Sequence, residues 1–291
     1  MRRLNPKVDF VFKRIFGTEE NKDILLAFLN AILHPPDGQD LTEIALLDPH
    51  LNPDMVGDKT SILDVRAITA AGIPINIEIQ LFNKYNIEKR TLYYWAKLYQ
   101  EQLEQGQNYR ELKKAVTINI VDFNCLETDE FHSVFRVRED RTGQLLTDDL
   151  EIHFLELRKL TSQQAMPNER LMKWMMFLQA ENEETLEGVA MDEPAIRKAV
   201  DVLKFLSQDK ETRRLFEMRE KALKDEVSMI HGAKEEGEAK GRAEGISQGI
   251  AQSKAKIAKN LISLGMDDHL IVQATGLTPA EIDQLKNQPT G

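Results

Sequence analysis

Two carboxylates and an amide stand where a pair of strands would bring them together. The stretch Lys59–Gln80, KTSILDVRAITAAGIPINIEIQ, sets Asp64, Glu78 and Gln80 inside two otherwise apolar runs, Ile62–Ile68 and Ile73–Phe82, separated by Ala71-Gly72. Alternating, β-branched segments on either side of a glycine read as a β-hairpin. With the turn at Ala71-Gly72, all three polar residues end at the same end of the pair. Oxygen ligands of this kind suit a hard divalent cation, which one or two carboxylates hold while phosphate and water complete its shell. A phosphodiester fits such a site. The competing reading is that Asp64 and Glu78 face solvent from half-exposed strands, and spacing alone leaves both open.

Asp64, thirteen intervening residues and then Glu78-Ile79-Gln80 resemble the core motif of the PD-(D/E)XK nuclease superfamily. A narrower likeness runs through four segments. Asn5-Pro6 leading into Asp9–Gly17 (DFVFKRIFG), then Leu63–Ala67, Ile77–Gln80 and Arg90–Tyr94, are similar to the Rpn-type recombination-promoting nucleases, also labelled transposases. The resemblance implies an α/β fold with an αβββαβ restriction-endonuclease core and extra strands. It implies a metal-dependent DNA endonuclease in which Asp64 and Glu78 bind Mg2+, or another divalent cation such as Mn2+ or Ca2+, and Gln80 positions water or a ligand. A part in DNA recombination, mobile elements or phage defence goes with it. Lys59, Asp9, Arg90 and Tyr94 are candidate supporting residues. The superfamily normally carries a lysine where this chain has Gln80, and an amide supplies no positive charge; glutamine stands there in the Rpn-type branch too. The alternative on the same scaffold is a catalytically inactive DNA-binding or assembly protein.

Bulk properties narrow the classes. A chain of 291 residues that is 42% hydrophobic can bury a sizeable core. Its formal net charge of -10, from 48 acids against 38 bases, argues against a surface that is basic throughout, while a local basic path along DNA stays open. Cys125 is the only cysteine, which excludes an intrachain disulfide and a cysteine-cluster zinc site, and the six histidines show no paired ligand spacing. No apolar leader follows Met1-Arg2-Arg3 and no apolar run is long enough to span a bilayer, so a cytoplasmic protein without a membrane partner is expected. Neither a GxxxxGK[ST] loop nor a strand-placed GxGxxG is present.

The elements that must position the site can be read in order. Asn5-Pro6 offers a cap and a first-turn proline for a helix through Phe16 that Gly17 ends. Asp9 and Lys13 lie one turn apart on it, the spacing of a local ion pair. A second helix covers about 21–33, stopped by His34-Pro35-Pro36, and a strand covers 41–47. Lys59 reads as a solvated lysine at strand entry. After the hairpin comes a helix over about 87–105, with Leu92, Trp95, Tyr99 and Leu103 as the stripe for the sheet and Arg90, Tyr94, Lys97 and Glu101 opposite, toward a cleft or solvent. Strands are expected over 114–123, 131–137 and 150–157, then helices over 171–178, 193–206 and from 211 onward.

The domains expected are a nuclease core (1–160), a helical extension (161–231), a glycine-spaced helix or linker (232–253) and a small three-helix unit (254–291). Glycines at 232, 237, 241, 245 and 249 would weaken an isolated helix yet allow close approach to a partner helix, a route to a homo-oligomer. Gly265, Gly276 and Thr278-Pro279-Ala280-Glu281 punctuate the last unit. It is open to a helix-turn-helix reading, but Glu281 and Asp283 would repel phosphates at the start of a recognition helix. Lys254, Lys256 and Lys259 on the helix before it are the candidate DNA contacts.

Overall fold

The aromatic side of the first helix decides where the candidate site can form. In the computed structural model, which describes residues 3–48, 50–51, 61–62, 64–83, 86–160 and 168–287, α1 spans Asp9–Phe16 and buries Val11, Phe12, Ile15 and Phe16. Phe12 and Phe16 pack on Phe28 of α2 (Lys22–Leu33), and Phe16 and Phe28 on Trp174 of α4 (Glu169–Gln179), with centroids 4.8 to 6.4 Å apart. Such pairs add about 0.5–1.5 kcal/mol each beyond area burial. The helix starts later than Asn5-Pro6 implied. The Asn5 side chain accepts from the Lys7 N–H (3.0 Å) and the Asn5 carbonyl from the Val8 N–H (3.2 Å), so these residues form a turn ahead of α1.

The sheet of the first unit (Met1–Ala222) has the order β1-β4-β5-β6-β8-β7. Its strands are β1 (Ile44–Leu47), β4 (Val65–Thr69), β5 (Pro74–Gln80), β6 (Ala115–Val121), β7 (His132–Arg138) and β8 (Leu145–Glu156). A separate two-stranded piece pairs β2 (His50–Leu51) with β3 (Ser61–Ile62). β1, β4 and β5 are antiparallel, β5, β6 and β8 parallel, and β7 returns antiparallel on β8. The hairpin turns where expected: Gly72 takes φ +79° and donates its N–H to the Thr69 carbonyl at 2.9 Å. Between β5 and β6 runs α3 (Ile87–Gln100), the crossover that a parallel pair requires. The mixed α/β core with extra strands is thus present.

The lower face of α3 differs from the one expected. Trp95 does pack, donating Nε1–H to the Ala115 carbonyl at 3.0 Å, but Leu92 is half exposed, and Thr91, Lys97 and Leu98 are buried instead. Glu101, just past the helix, holds Arg66 of β4 at 2.7 Å. The reason lies in the sheet, whose face under α3 carries the polar row Asn76, Glu78 and Gln80 of β5 and Asn119 of β6; Thr91 Oγ1 donates to Asn119 Oδ1 at 2.9 Å. A polar side chain buried under the helix needs a partner, and Thr91 on the inward side of α3 supplies one to Asn119. α3 stops at Gln100, and beyond it the Gln102 side chain bonds both backbone groups of Lys113.

Helices α4, α5 (Glu183–Ala190) and α6 (Pro194–Gln208) complete the first unit. No helix was expected over α5; Asn182 caps it, its side chain accepting from Thr185 N–H at 2.8 Å. The 54-residue α7 (Lys210–Ser263) begins in this unit. The second unit, Leu223–Gly291, holds the rest of α7, α8 (Asp268–Thr275) and α9 (Pro279–Lys286), with Ala258, Ile271 and Ile282 fully buried together. Gly276 ends α8 at φ +66°, and Thr278 and Glu281 form a reciprocal capping box. Cβ atoms built at Gly232, Gly237, Gly241, Gly245 and Gly249 would meet nothing within 4 Å, so no described residue covers the glycine-spaced face. No helix among the described residues is long and apolar enough to cross a membrane.

Candidate metal centre and nucleic-acid interface

Strand register brings the two acids together. Val65 faces Ile77 and Arg66 faces Asn76, so one further step sets Asp64 across from Glu78. The pair is locked by the backbone: Asp64 Oδ2 accepts from the Ile79 N–H at 2.8 Å, and the Asp64 N–H donates to the Glu78 carboxylate. Alternation along β5 puts Ile75, Ile77 and Ile79 on one face and Glu78 and Gln80 on the other. Gln80 is tied through its carbonyl, which accepts from the Asp122 N–H at 2.9 Å, while its side-chain oxygen has no hydrogen-bond partner among the described residues.

The electrostatics of this pair are those of buried anions. The Asp64 and Glu78 side chains are nearly inaccessible, and Glu78 Oε1 accepts no hydrogen bond from any described residue. Burial pushes the Glu78 carboxyl up to about 8, and the Asp64 charge pushes the same way; Arg90, Lys13 and the Asp64 N–H oppose them in part. Asp64 is also raised by burial, against the Ile79 N–H and Lys13. A divalent cation fits these residues. Mg2+ keeps most of its own waters and takes one or two carboxylates, and the orphaned Glu78 oxygen is a free donor to it. Among the described residues no three His, Cys, Asp or Glu side chains group into a denser metal site.

The cations around the pair come from elements that spacing did not connect. Lys13 Nζ lies 3.3 Å from Asp64 Oδ1. The expected local pair between Asp9 and Lys13 therefore does not form: Arg219 of α7 grips Asp9 with two hydrogen bonds, Nε to Oδ1 at 3.1 Å and Nη2 to Oδ2, while Asp9 Oδ1 also accepts from the Phe10 N–H. Asp9 acts on Asp64 only through its charge. Arg90 favours the ionised form of Glu78 through space. Tyr94 is half-buried on α3 with its ring against Tyr93. Lys7 and Arg158 flank Asp122 at 2.8 and 4.0 Å beside the end of β5. Lys59 lies outside the described residues.

A second polar chain crosses β7 and β8. Glu151 accepts from His153 Nε2 at 3.0 Å, which leaves His153 Nδ1 to accept from His132 Nε2 at 2.9 Å. Burial tends to raise the Glu151 carboxyl, but hydrogen bonds from His153, Lys114 and Arg136 outweigh it and hold it well below the usual range. Burial lowers His132 to about 4, so the chain is neutral at its outer end. Histidines that looked scattered are joined by strand register alone.

In the second unit the three candidate lysines do not share one face. Steps of 100° per residue place Lys256 and Lys259 about 60° apart, while Lys254 lies about 140° from Lys259. Lys254 turns inward, and a Cβ at Gly276 would sit 3.3 Å from its Nζ. Glu281 is occupied by the Thr278 cap, and Lys286 pairs with Asp268 at 2.6 Å.

The chain matches no curated protein and no solved structure. Residues 251–287 match the C-terminal HTH domain of the Rpn/YhgA-like nuclease family. A match to the PD-(D/E)XK nuclease family transposase model runs over residues 6–233, from the turn ahead of α1 through the sheet, the candidate centre and the helices after it, and the chain belongs to that family.

Proposed function

We propose that this protein is a divalent-metal-dependent DNA endonuclease that hydrolyses phosphodiester bonds in DNA recombination, mobile-element movement or phage defence. The observation that carries this reading is the buried Asp64–Glu78 pair with an unsatisfied Glu78 oxygen. A divalent ion held there would polarise the phosphodiester and lower the pKa of a bound water. Asp64 and Glu78 would hold the ion, the Ile79 N–H fixes the orientation of Asp64, and Gln80 Oε1 would accept a hydrogen bond from the attacking water. Purified protein incubated with plasmid and linear DNA is expected to cut with Mg2+ or Mn2+ and not with EDTA. Absence of cutting with every ion would remove the reading.

One residue favours a second reading, an inactive scaffold, because Gln80 brings no charge to β5. Replacing it separates the two. Gln80→Lys is expected to lower cleavage about tenfold or more, because a second ammonium beside Lys13 competes for the carboxylates. A large gain in rate would identify the glutamine as the mark of a decayed site.

The helix-turn-helix match supports DNA contact by the second unit, and we place phosphate contacts on Lys256 and Lys259, since Lys254 turns inward toward Gly276. A chain ending at residue 230 is expected to keep metal-dependent cleavage, to bind DNA more weakly and to show a flatter salt dependence. Each phosphate contact removed takes about 0.9 from the log–log slope. Light scattering tests the exposed glycine face, which we propose as a contact between copies of this chain: the shortened chain should have a lower oligomer mass. Unchanged mass, affinity and slope would reduce the tail to an inert extension.

A further inference from the structure

A phosphodiester brought to Asp64 and Glu78 adds negative charge to a place where burial already penalises it. β5 supplies nothing to offset that charge, since position 80 is an amide. The cations nearby are not equivalent. Arg219 is committed to Asp9 through two hydrogen bonds, and Lys7 to Asp122 at 2.8 Å. Arg90 acts on Glu78 through space without a hydrogen bond to it. Lys13 touches the pair. Its Nζ is 3.3 Å from Asp64 Oδ1, longer than the 2.7–2.9 Å typical of a tight charge-assisted bond, and 35% of its side chain stays exposed. An ammonium carries three donors, so this contact leaves others open toward a ligand.

That placement is built into the fold. Lys13 sits on the free side of α1, whose other side is fixed by four fully buried residues, Val11, Phe12, Ile15 and Phe16. The helix ends at Gly17, where a Cβ would lie 2.9 Å from the Lys13 carbonyl and 3.3 Å from Val65 Cγ2. The φ of Gly17 is -108°, so space and not backbone conformation demands the glycine. Without a side chain there, the last turn of α1 comes down on the first residue of β4, next in sequence to Asp64. The same close approach brings Lys13 to the carboxylate.

We propose that Lys13 is the phosphate-contacting cation of the Asp64–Glu78 centre, so that helix α1 supplies the positive charge that strand β5 lacks. The proposal rests on the nuclease reading above. It explains how a centre with Gln80 can act on a phosphodiester, and it gives Gly17 a role in catalysis through position alone.

The test uses the full chain as parent, Lys13→Met, Lys13→Arg, Gln80→Lys and the double variant Lys13→Met/Gln80→Lys. Mn2+ binding is measured by calorimetry without DNA, single-turnover cleavage is measured at saturating DNA, and melting curves confirm folding. Lys13→Met is expected to lose about a hundredfold in rate, the scale for one donor aimed at developing charge. Its Mn2+ affinity should be equal or higher, because Asp64 loses a competing partner. Lys13→Arg should recover part of the rate, and adding Gln80→Lys to Lys13→Met should recover at least about tenfold, although Gln80→Lys alone gains nothing. Two results overturn the proposal while leaving the nuclease reading intact: an active parent with an equally active Lys13→Met, or a rate loss in Lys13→Met matched by weaker Mn2+ binding. The second would make Lys13 only a positioning partner of Asp64. A parent that binds Mn2+ and cuts no DNA would sink the nuclease reading and this proposal with it.

Discussion

Cleavage by Asp64→Ala and by Glu78→Ala protein is expected to fall at least about a hundredfold in the presence of Mg2+ or Mn2+, with both variants folded. The two carboxylates are the only ones the β4–β5 register sets together, so neither has a substitute within the hairpin. Loss of both should cost little more than loss of one, since residues that act as a unit are strongly non-additive. Stability should separate them. Asp64→Ala removes the acceptor for the Ile79 N–H and the partner of Lys13, so its melting temperature should drop. Glu78→Ala removes a buried carboxyl with an unsatisfied oxygen, so relief of that desolvated polar group offsets part of the lost packing. If both folded variants cut plasmid DNA as fast as the parent, the site assignment is wrong.

The metal-free protein is expected to lose stability as pH rises from about 4.5 to about 8. Glu78 has an ordinary value of 4.5 and a folded value of about 8. Below pH 4.5 its carboxyl is neutral in both states and the fold carries no penalty. Through the window the unfolded chain has released the proton while the folded chain still holds it, so stability falls with pH by up to about 1.4 kcal/mol per pH unit and levels off above the folded value. Asp64, also raised, adds a slope of the same sign. Glu78→Gln should flatten the decline. Saturating Mg2+ should reduce it, since the ion takes the place of the proton. Melting curves in EDTA across this range check the sign, and stability that rises with pH there would show that the pair is compensated by charges already present.

Much of this protein follows from short-range rules. Period-two alternation and Gly72 predict the hairpin, because side-chain direction in a strand is set by its own backbone and a left-handed turn favours glycine. The same holds for the Thr278–Glu281 cap, whose partners are three residues apart. Segments that carry the nuclease likeness are legible for the same reason. They are local, and the hairpin alone carries Asp64 to Glu78.

What only the tertiary structure decided is which charge meets which. Helical spacing made Asp9 and Lys13 partners, yet Asp9 belongs to Arg219, 210 residues away in sequence, and Lys13 to Asp64. The exposed pair at i,i+4 is worth a few tenths of a kcal/mol, too little to hold against partners that packing brings close with better geometry. The face that α3 buries differs from its apolar stripe because a helix's inward side is set by what lies beneath it, and here Asn119 of β6 lies beneath Thr91. His132 and His153 meet through the register of β7 on β8. Residue types and their local spacing therefore determined the elements and the acidic pair, whereas the pairing of Lys13 with Asp64 and of Arg219 with Asp9 was settled by the docking of α1 and α7, a consequence of side-chain packing that no short window of sequence contains.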